Sequence, residues 1–333
     1  MRKTKIVCTM GPSTDKPGIL RQLMENGMNV ARFNFSHGDY EEHKGRYDKV
    51  RALSRELDLP IACMLDTKGP EIRLGEFKNG VEKLTTGQKF TLTSRSVEGT
   101  NEICSVTYKE LPHDVKPGGR IMLDDGLIEL RIDEVGDTDI ACTVCNDGII
   151  KTKKGVNVPG VHLSMPYMSA QDRADIRFGI EEGFDFIAAS FCRTAQDAME
   201  IRRMLDENHS NMRIIAKLEN QEGVNNVDEI LAVVDGVMIA RGAQGNPWIF
   251  SEMIEHERTG RIPSRPTNEE IRKMMLRHAK LQLQYKGEYL GIREMRKHVA
   301  WYTKGLPGSA KLREEINRVE SYAELEDLLY RQL

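Results

Sequence analysis

The chain has no long apolar segment and few aromatic residues. Its 333 residues include 39% hydrophobic and 6% aromatic side chains, and no apolar run approaches the roughly 20 residues that a membrane-spanning helix needs. Residues 1–5 lead directly into a short apolar run, without the apolar core and cleavage site of a signal peptide. These absences predict a globular protein with a cytoplasmic location and no membrane partner.

Cysteine is also scarce, and its spacing does not indicate a metal or redox site. Of the six cysteines, Cys142 and Cys145 form the one C-x-x-C pair, and no second pair accompanies it. The pair lies in a strand-like run, where positions i and i+3 point to opposite faces. We therefore expect buried thiols and no metal or redox role for this pair.

Charge is distributed unevenly along the chain. The net charge is −3. From residue 241 onward there are 17 Lys and Arg against 13 Asp and Glu, whereas the preceding residues are net acidic. A basic C-terminal part permits a polyanionic partner, but ordinary solvated helices give the same balance.

Short apolar runs alternate with helical patterns in two parts of the chain, which indicates βα units and a parallel sheet. The predicted strands are 5–10, 29–36, 60–66, 184–191, 213–218 and 235–240. No pattern for a seventh or eighth strand follows. The two parts, 1–70 and 166–242, together hold fewer than the about 200 residues of a complete β/α barrel.

The remaining residues follow two other patterns. Residues 71–165 contain short alternating runs separated by turns such as Asp125-Gly126, which predicts a small inserted β domain. Residues 243–333 contain no strand pattern, and helices are expected near 249–258, 268–285, 289–303, 309–318 and 322–331. The predicted fold is α/β: a partial TIM-type β/α barrel with six of eight strands, an inserted β domain and an all-α tail.

Polar side chains share one face at the end of the second predicted strand. Arg32, Asn34 and Ser36 alternate with two phenylalanines and therefore lie on one side of a strand. A solvated edge strand would show the same alternation. The carboxyl ends of barrel strands, however, face the active site. Three polar groups at that end therefore indicate a functional site.

Other strand ends carry groups suited to phosphate and metal chemistry. Lys217 and Glu219 point the same way at the end of a strand, where Lys can neutralise a phosphoryl oxygen and Glu can bind Mg²⁺. A structural ion pair is the alternative. Asp66 and Thr67 offer oxygen ligands to a hard cation, whereas Lys153-Lys154 taken alone is only a basic turn.

Several of these segments resemble pyruvate kinase, and the resemblance runs from residue 1 to about 242. It is carried by Thr9-Met10-Gly11-Pro12-Ser13, Asn29 to Gly38, Leu65 to Arg73, Lys153 to Gly160 and Ile215 to Gly223. The resemblance implies a barrel with an inserted β domain that closes as a lid. It also implies phosphoryl transfer from phosphoenolpyruvate to ADP, with Mg²⁺ and K⁺ as cofactors.

The resemblance implies a role for each matching position. Arg32 and Lys217 would bind the phosphoryl group, Lys217 would stabilise charge during transfer, and Glu219 would bind Mg²⁺. The remaining implied contacts are K⁺ at Asn34, Ser36, Asp66 and Thr67, the nucleotide at His37, Arg73 and Lys153 or Lys154, and substrate at Gly242.

The sequence departs from pyruvate kinase after Gly242. The family has an Asp there as its second Mg²⁺ ligand, and this chain has Ala243. Residues 242–250 and 293–316 instead resemble the end of bacterial tRNA-dihydrouridine synthases, through Gly242-Ala243-Gln244-Gly245-Asn246-Pro247-Trp248, Arg293-Glu294-Met295-Arg296-Lys297-His298 and Trp301-Tyr302-x-Lys304-Gly305-Leu306-Pro307-Gly308.

That second resemblance implies a helical domain that contacts tRNA, here through Arg296, Lys297 and Lys304. Ordinary helix-surface charge is the alternative for these three residues. No matching flavin-binding strands or catalytic Cys motif precede residue 236, so we do not expect bound flavin mononucleotide or dihydrouridine synthase activity.

Three hypotheses for the function remain open. The chain is a pyruvate-kinase-type enzyme with reduced or no activity, a non-catalytic protein that binds phosphoenolpyruvate, nucleotide or tRNA, or a chimeric product without evolved function. Because the first and sixth strands lack neighbours in a six-stranded barrel, we also expect self-association through those edges.

Overall fold

The computed structural model describes residues 5–333, without the side chain of residue 257. The first segment alternates strands and helices as its apolar pattern predicts. Its elements are β1 Val7–Thr9, α1 Ile19–Glu25, β2 Val30–Asn34, α2 Tyr40–Glu56 and β3 Ala62–Asp66. Helix α2 begins where the Asp39 side chain accepts a hydrogen bond from the Glu42 amide, which satisfies one of the free amides of the first turn.

The inserted segment is an antiparallel β structure with its own core. Its elements are β4 Ile72–Arg73, β5 Val81–Leu84, β6 Lys89–Thr93, β7 Ile103–Ser105, α3 Leu111–Asp114, β8 Arg120–Leu123, β9 Ile128–Val135, β10 Asp139–Val144, β11 Gly148–Lys151 and β12 Gly155–Asn157. Seven strands form one sheet in the order β4-β12-β8-β9-β10-β6-β7, and β11 pairs with β5. Phe90, Leu92 and Leu130 are among its fully buried side chains.

The two cysteines of the C-x-x-C pair are separated as the strand pattern predicts. Cys142 is buried, Cys145 is exposed, and both are free thiols. Burial raises the pKa of the Cys142 thiol to about 12, so this sulfur is a core group and a poor nucleophile near neutral pH.

After the insertion the βα rhythm resumes. The elements are α4 Ala170–Glu182, β13 Phe186–Ala189, α5 Ala195–Glu207, β14 Arg213–Ala216, α6 Gln221–Asn225, α7 Val227–Leu231 and β15 Gly236–Val237. Helix α4 begins with the reciprocal capping box of Ser169 and Asp172. The last strand is shorter than the predicted 235–240, although the Met238 amide still donates to the Ala216 carbonyl.

Six strands form one parallel sheet in the order β1-β2-β3-β13-β14-β15. One face packs on the helices through a large apolar cluster that includes Phe33, Leu65 and Ile187. The other face carries a smaller cluster with Val30, Met64 and Ala188. The central strands β3 and β13 are therefore buried on both faces, which agrees with their continuous apolar runs.

The last segment is helical, with a 3₁₀ turn at Arg241–Ala243 followed by α8 Ile249–Thr259, α9 Asn268–Tyr302, α10 Ser309–Ile316 and α11 Tyr322–Gln332. Helix α9 spans the two helices predicted at 268–285 and 289–303. It is interrupted at Gly287, whose φ of 73° and ψ of 166° are not helical. The two halves, α10 and α11 share a core with Met275, Met295 and Leu328.

The chain divides into two compact units, one ending at Met238 and the other comprising Ile239–Leu333. The predicted fold class is confirmed: the first unit holds a six-stranded partial barrel with an inserted β domain, and the second is helical. Within residues 5–333, no helix combines the length and the hydropathy that spanning a membrane would require.

The helical unit is expected to lose stability in acid through His298. Its ring lies 4.5 Å from that of His278, and burial, with added positive charge from His278 and Lys297, lowers the pKa of His298 to about 4. Glu294 opposes this shift, and Lys286 adds to it. The unfolded chain therefore takes up a proton below pH ~6.5, whereas the folded chain resists until pH ~4.

The contribution of the His298 ring to the free energy of unfolding is thus fully present above pH ~6.5 and is lost as the pH falls from ~6.5 to ~4. Because the ring is partly exposed, we expect a loss of about 1–2 kcal/mol after solvent screening. Thermal unfolding of the helical signal, followed against pH, measures it. His298→Gln should flatten this pH dependence, and the exposed His209→Gln should not. Equal curves for all three proteins would contradict the assignment.

Candidate active site

Four polar side chains lie on the inner face of the sheet, at the carboxyl ends of its strands. The apolar residues Val30, Met64, Ala188 and Ile215 lie on that face, and two residues further along each strand stand Arg32, Asp66, Ser190 and Lys217. Because side chains alternate along a strand, these four point to the same side at the carboxyl ends of neighbouring strands. We call Arg32, Asp66, Ser190 and Lys217 the strand-end cluster.

The carboxylate of Asp66 joins two cations. Arg32 Nε donates to Asp66 Oδ2 at 2.5 Å, Arg32 Nη2 contacts the same oxygen, and Lys217 Nζ donates to Asp66 Oδ1 at 3.0 Å. Asp66 is 1% exposed. Removing one partner of such a buried pair typically costs about 3–5 kcal/mol. Two cations against one carboxylate leave a net positive charge, so the cluster is suited to receive an anion.

Glu219 lies beside the cluster. Its Oε2 atom is 3.7 Å from Lys217 Nζ and accepts a hydrogen bond from the Phe191 amide at 3.1 Å. In the part of the chain that the structure describes, no group of three or more His, Cys, Asp or Glu side chains could hold a metal ion. Mg²⁺ is commonly held by one or two carboxylates together with water and substrate phosphates. Glu219 therefore fits a metal that arrives with its substrate, and not a metal held by protein alone.

The oxygen donors predicted for K⁺ lie close together but already make hydrogen bonds. Asn34 pairs in register with Asp66, and its Oδ1 accepts from the Ser36 amide at 3.1 Å. Thr67 Oγ1 donates to the Ala188 carbonyl and accepts from the Ser190 amide, each at 3.2 Å. The donor type suits a hard cation, and each of these oxygens accepts one hydrogen bond, which leaves a lone pair for K⁺.

A buried histidine holds the loop that carries His37. The His43 ring lies 2.9 Å through Nε2 from the His37 carbonyl and stacks on Phe35 with ring centroids 4.2 Å apart. Burial lowers the pKa of His43, so the ring is neutral at pH ~7 and Nε2 carries the proton that this hydrogen bond needs. The His37 side chain itself is exposed.

The other residues predicted to bind nucleotide meet in the inserted domain. Arg73 donates to the carboxylate of Glu71 and to the Lys153 carbonyl, each at 2.8 Å. The structure pairs the two lysines of this turn with carboxylates, joining Lys153 to Glu76 and Lys154 to Asp124 at 2.9 Å each. These three cations form their own group around strands β4 and β12.

The predicted residues of the helical unit have different environments. Gly242 lies in the 3₁₀ turn, near the side chains of Ile239 and Ile249. Arg296 uses its guanidinium internally, because Nε and Nη2 donate to the Val319 carbonyl at 3.0 and 2.6 Å. Lys297 and Lys304 are exposed.

Sequence reasoning missed three residues that support the site. Ser190 is a member of the strand-end cluster, His43 fixes the loop of His37, and Arg193 binds two carbonyls of the segment that returns from the inserted domain. Ser190 could have been found from the sequence, because it is a polar residue two positions after the buried Ala188 and therefore lies on the same face of the strand. His43 and Arg193 act on residues distant from their own motifs, so spacing gives no sign of them.

Comparison with protein families gives two matches along the chain. A family described as "Pyruvate kinase, barrel domain" matches residues 1–255. A second, "Dihydrouridine synthase (Dus)", matches residues 220–332. Both predicted resemblances are confirmed. The two matches overlap over residues 220–255, the stretch that contains β15 and the 3₁₀ turn.

Individual relatives support the first match. Pyruvate kinases from Staphylococcus aureus strains MRSA252 and USA300 are each 50% identical over 247 residues, which cover 74% of this chain and 42% of the relative. The chain thus spans less than half the length of these relatives. A crystal structure of a pyruvate kinase from Cryptosporidium parvum aligns with a TM-score of 0.69 and 30% identity, covering 100% of this chain and 70% of that one.

Proposed function

The chain belongs to the pyruvate kinase family, and we propose that its strand-end cluster is a site for phosphoryl transfer between phosphoenolpyruvate and ADP. One observation carries the proposal. Arg32 and Lys217, on different strands, converge on the single carboxylate of Asp66. A phosphoryl group is an anion that two cations can bind, and both cations have further N–H donors for it.

In the proposed reaction these residues bind and stabilise charge. Arg32 offers a planar fork of donors to the phosphoryl oxygens, and Lys217 places a point charge where negative charge develops during transfer. Phosphoryl transfer depends mainly on such positioning and charge stabilisation. Asp66 fixes both cations before substrate arrives, so little reorganisation is needed.

The pyruvate kinase family generally uses Mg²⁺ and K⁺. We propose that Glu219 binds Mg²⁺ together with substrate oxygens, and that Asn34, Ser36, Asp66 and Thr67 surround K⁺. Bound Mg²⁺ supplies a Lewis-acid charge that polarises the phosphoryl group. For the nucleotide we propose His37 and the group of Arg73, Lys153 and Lys154 on the inserted domain, which acts as a lid.

Two departures from the family lower the expected rate. Ala243 stands where the resemblance implies a second carboxylate on Mg²⁺, and if its loss costs ~3–5 kcal/mol of transition-state stabilisation the rate falls roughly 10²–10⁴-fold. The sheet formed by residues 5–333 also has six strands, where a complete barrel has eight. The proposed activity is therefore weak, and Gly242 is a substrate contact only by resemblance.

Binding without turnover is the second candidate, and Ala243 is the observation that favours it. Such a protein would keep affinity for phosphoenolpyruvate or nucleotide through the same cations. tRNA binding by the helical unit rests on Lys297 and Lys304, since Arg296 is engaged with the Val319 carbonyl. A chimeric product without evolved function would fold but show neither binding nor turnover.

Self-association remains part of the proposal. Strands β1 and β15 end the six-stranded sheet within the described residues, and free strand edges pair readily with other chains. Ile6 and Val7, at β1, are 40% and 38% exposed. We expect a dimer or larger species in light scattering at micromolar concentration. A sharp monomer peak would contradict the edge argument.

The activity is tested by pyruvate formation from phosphoenolpyruvate and ADP, with Mg²⁺ and K⁺, using the purified chain. We expect slow turnover that requires all four components and that stops when Mg²⁺ is chelated. Turnover that is independent of ADP would point to a phosphatase. No turnover with retained binding of phosphoenolpyruvate would support the second candidate.

A further inference from the structure

Ser190 makes more contacts to the site than its size suggests. It follows β13, is 1% exposed, and places its Oγ atom 2.8 Å from Lys217 Nζ, 3.0 Å from Asp66 Oδ1 and 2.5 Å from the Thr67 carbonyl. An ammonium group only donates hydrogen bonds, so Ser190 must accept from Lys217. Its own proton then goes to Asp66 or to the Thr67 carbonyl.

These contacts determine where the ammonium group points. Lys217 Nζ has three N–H donors, of which one is directed to Asp66 and one to Ser190. Glu219 is further away, at 3.7 Å. With two donors fixed on buried acceptors, the direction of the third N–H is restricted as well.

The backbone of Ser190 touches the chain that leads out to the inserted domain. Its amide donates to Thr67 Oγ1 at 3.2 Å. Gly69, with a φ of +68°, approaches so closely that a Cβ on it would lie 2.6 Å from the Ser190 carbonyl oxygen. The outgoing connection is thus packed directly on Ser190.

The returning connection is fixed to the same residue. Tyr167 donates its hydroxyl proton to the Ser190 carbonyl at 3.2 Å. Just before it, the Leu163 and Met165 carbonyls accept from Arg193 at 3.1 and 3.2 Å, and Asp197 holds Arg193 in turn. Both segments that join the inserted domain to the barrel therefore meet Ser190 or its neighbours.

We propose that Ser190 is a positioning residue. Its hydroxyl directs the Lys217 ammonium group, and its backbone contacts the two connections of the inserted domain, so the position of these connections affects the direction of the ammonium group. This inference rests on the proposed function, because Lys217 acts on substrate only if the phosphoryl group binds at the strand-end cluster. Ser190 itself touches neither substrate nor metal in this role.

The test compares Ser190→Ala with Ser164→Ala. Ser164 is a matched control because its hydroxyl bonds to Asp114 and Tyr108 and not to Lys217. The first readout is acetylation of Lys217 by N-hydroxysuccinimidyl acetate, followed by peptide mass spectrometry over a range of pH. Ser190→Ala removes one of the two buried acceptors that hold the Lys217 amine in place, so labelling of Lys217 should rise about tenfold.

Lys44, whose side chain is 44% exposed, should label equally in every variant. The second readout is turnover, where Ser190→Ala should lower kcat about 10- to 100-fold and change KM for phosphoenolpyruvate little, while Ser164→Ala stays close to the parent. Melting curves establish that each variant is folded. Unchanged labelling of Lys217 in folded Ser190→Ala would overturn the positioning role, and so would an equal loss in both variants.

A separate variant tests whether the connection to the inserted domain affects Lys217 through Ser190. Tyr167→Phe removes only the hydroxyl that bonds to the Ser190 carbonyl, and it should raise Lys217 labelling by a smaller factor, about two- to threefold. Unchanged labelling would overturn this effect of the connection. The labelling readout does not need turnover. A parent chain that neither binds phosphoenolpyruvate nor forms pyruvate would sink the proposed function, while the labelling still decides the role of Ser190.

Discussion

Replacing Lys217 with methionine is expected to reduce pyruvate formation by about 10²–10³-fold, the usual effect of removing a donor that stabilises developing charge. Methionine has a similar length and no charge, so the change removes the ammonium group and little volume. The fold should survive, because Asp66 keeps Arg32 as a partner through Nε and Nη2. The effect should fall on kcat as well as on phosphoenolpyruvate binding, and kcat is measured by coupled pyruvate assay with saturating phosphoenolpyruvate and ADP.

Lys44→Met is the matched control, since Lys44 pairs with Asp48 and Glu182 on the outside of the barrel. It should leave turnover within about twofold, as surface ion pairs contribute little. If the parent chain turns over too slowly for a further decrease to be measured, both variants can be compared in an Ala243→Asp background. A Lys217→Met protein that turns over like the Lys44→Met protein would remove Lys217 from the chemistry.

Ala243→Asp is expected to raise pyruvate formation by up to roughly 10²-fold. The family resemblance implies a carboxylate at this position as a ligand of Mg²⁺, and Glu219 alone is a weak site for a divalent ion. A regained ligand should act on both rate and metal affinity, because the family's chemistry depends on a correctly placed metal. The Mg²⁺ concentration for half-maximal activity should therefore fall in the same variant.

Ala243→Asn separates the charge from the added size. Asparagine has nearly the shape of aspartate but no negative charge. The variant should therefore restore far less activity and should not shift the Mg²⁺ requirement. If Asp and Asn raise activity equally, the gain is not due to metal binding. If neither raises it, Ala243 is not what limits the rate, and the six-stranded sheet is the remaining departure from the family.

Local patterns predicted most of the secondary structure because the physical causes are local. Runs such as Ala62 to Leu65 are apolar on both faces, which only a doubly covered parallel strand requires. The capping boxes at Ser169 and Thr267 form reciprocally, as their S/T-x-x-D/E spacing predicts. The break in α9 falls at Gly287, between the two helices that were predicted as separate.

The strand-end cluster was predictable only in part. Alternation placed Arg32 on the inner face, and the resemblance placed Lys217 beside the substrate. Neither could assign Asp66 to both cations, which lie 34 and 151 residues away along the chain. That pairing depends on which strands become neighbours in the sheet. The same dependence hid Ser190, whose hydroxyl acquires its role only when β3, β13 and β14 lie side by side.

The sequence also did not predict the length of the last strand. Residues 235–240 read as a continuous apolar strand, yet only Gly236–Val237 pair as a strand. A parallel strand is fixed by its neighbours on both sides, and β15 has only β14 in this sheet. The sequence predicts this edge position, because no seventh strand pattern follows, but it does not predict how far the strand is shortened there.

We propose that Arg32 and Lys217 together form a binding site for the phosphoryl group of phosphoenolpyruvate. Calorimetric titration of the purified chain with phosphoenolpyruvate, in the presence of Mg²⁺ and K⁺, tests it without requiring turnover. We expect saturable binding at one site per chain, weakened at least about tenfold by Lys217→Met and by Arg32→Met, and unchanged by Lys44→Met. No binding by the parent chain, or equal binding by all four proteins, would contradict it.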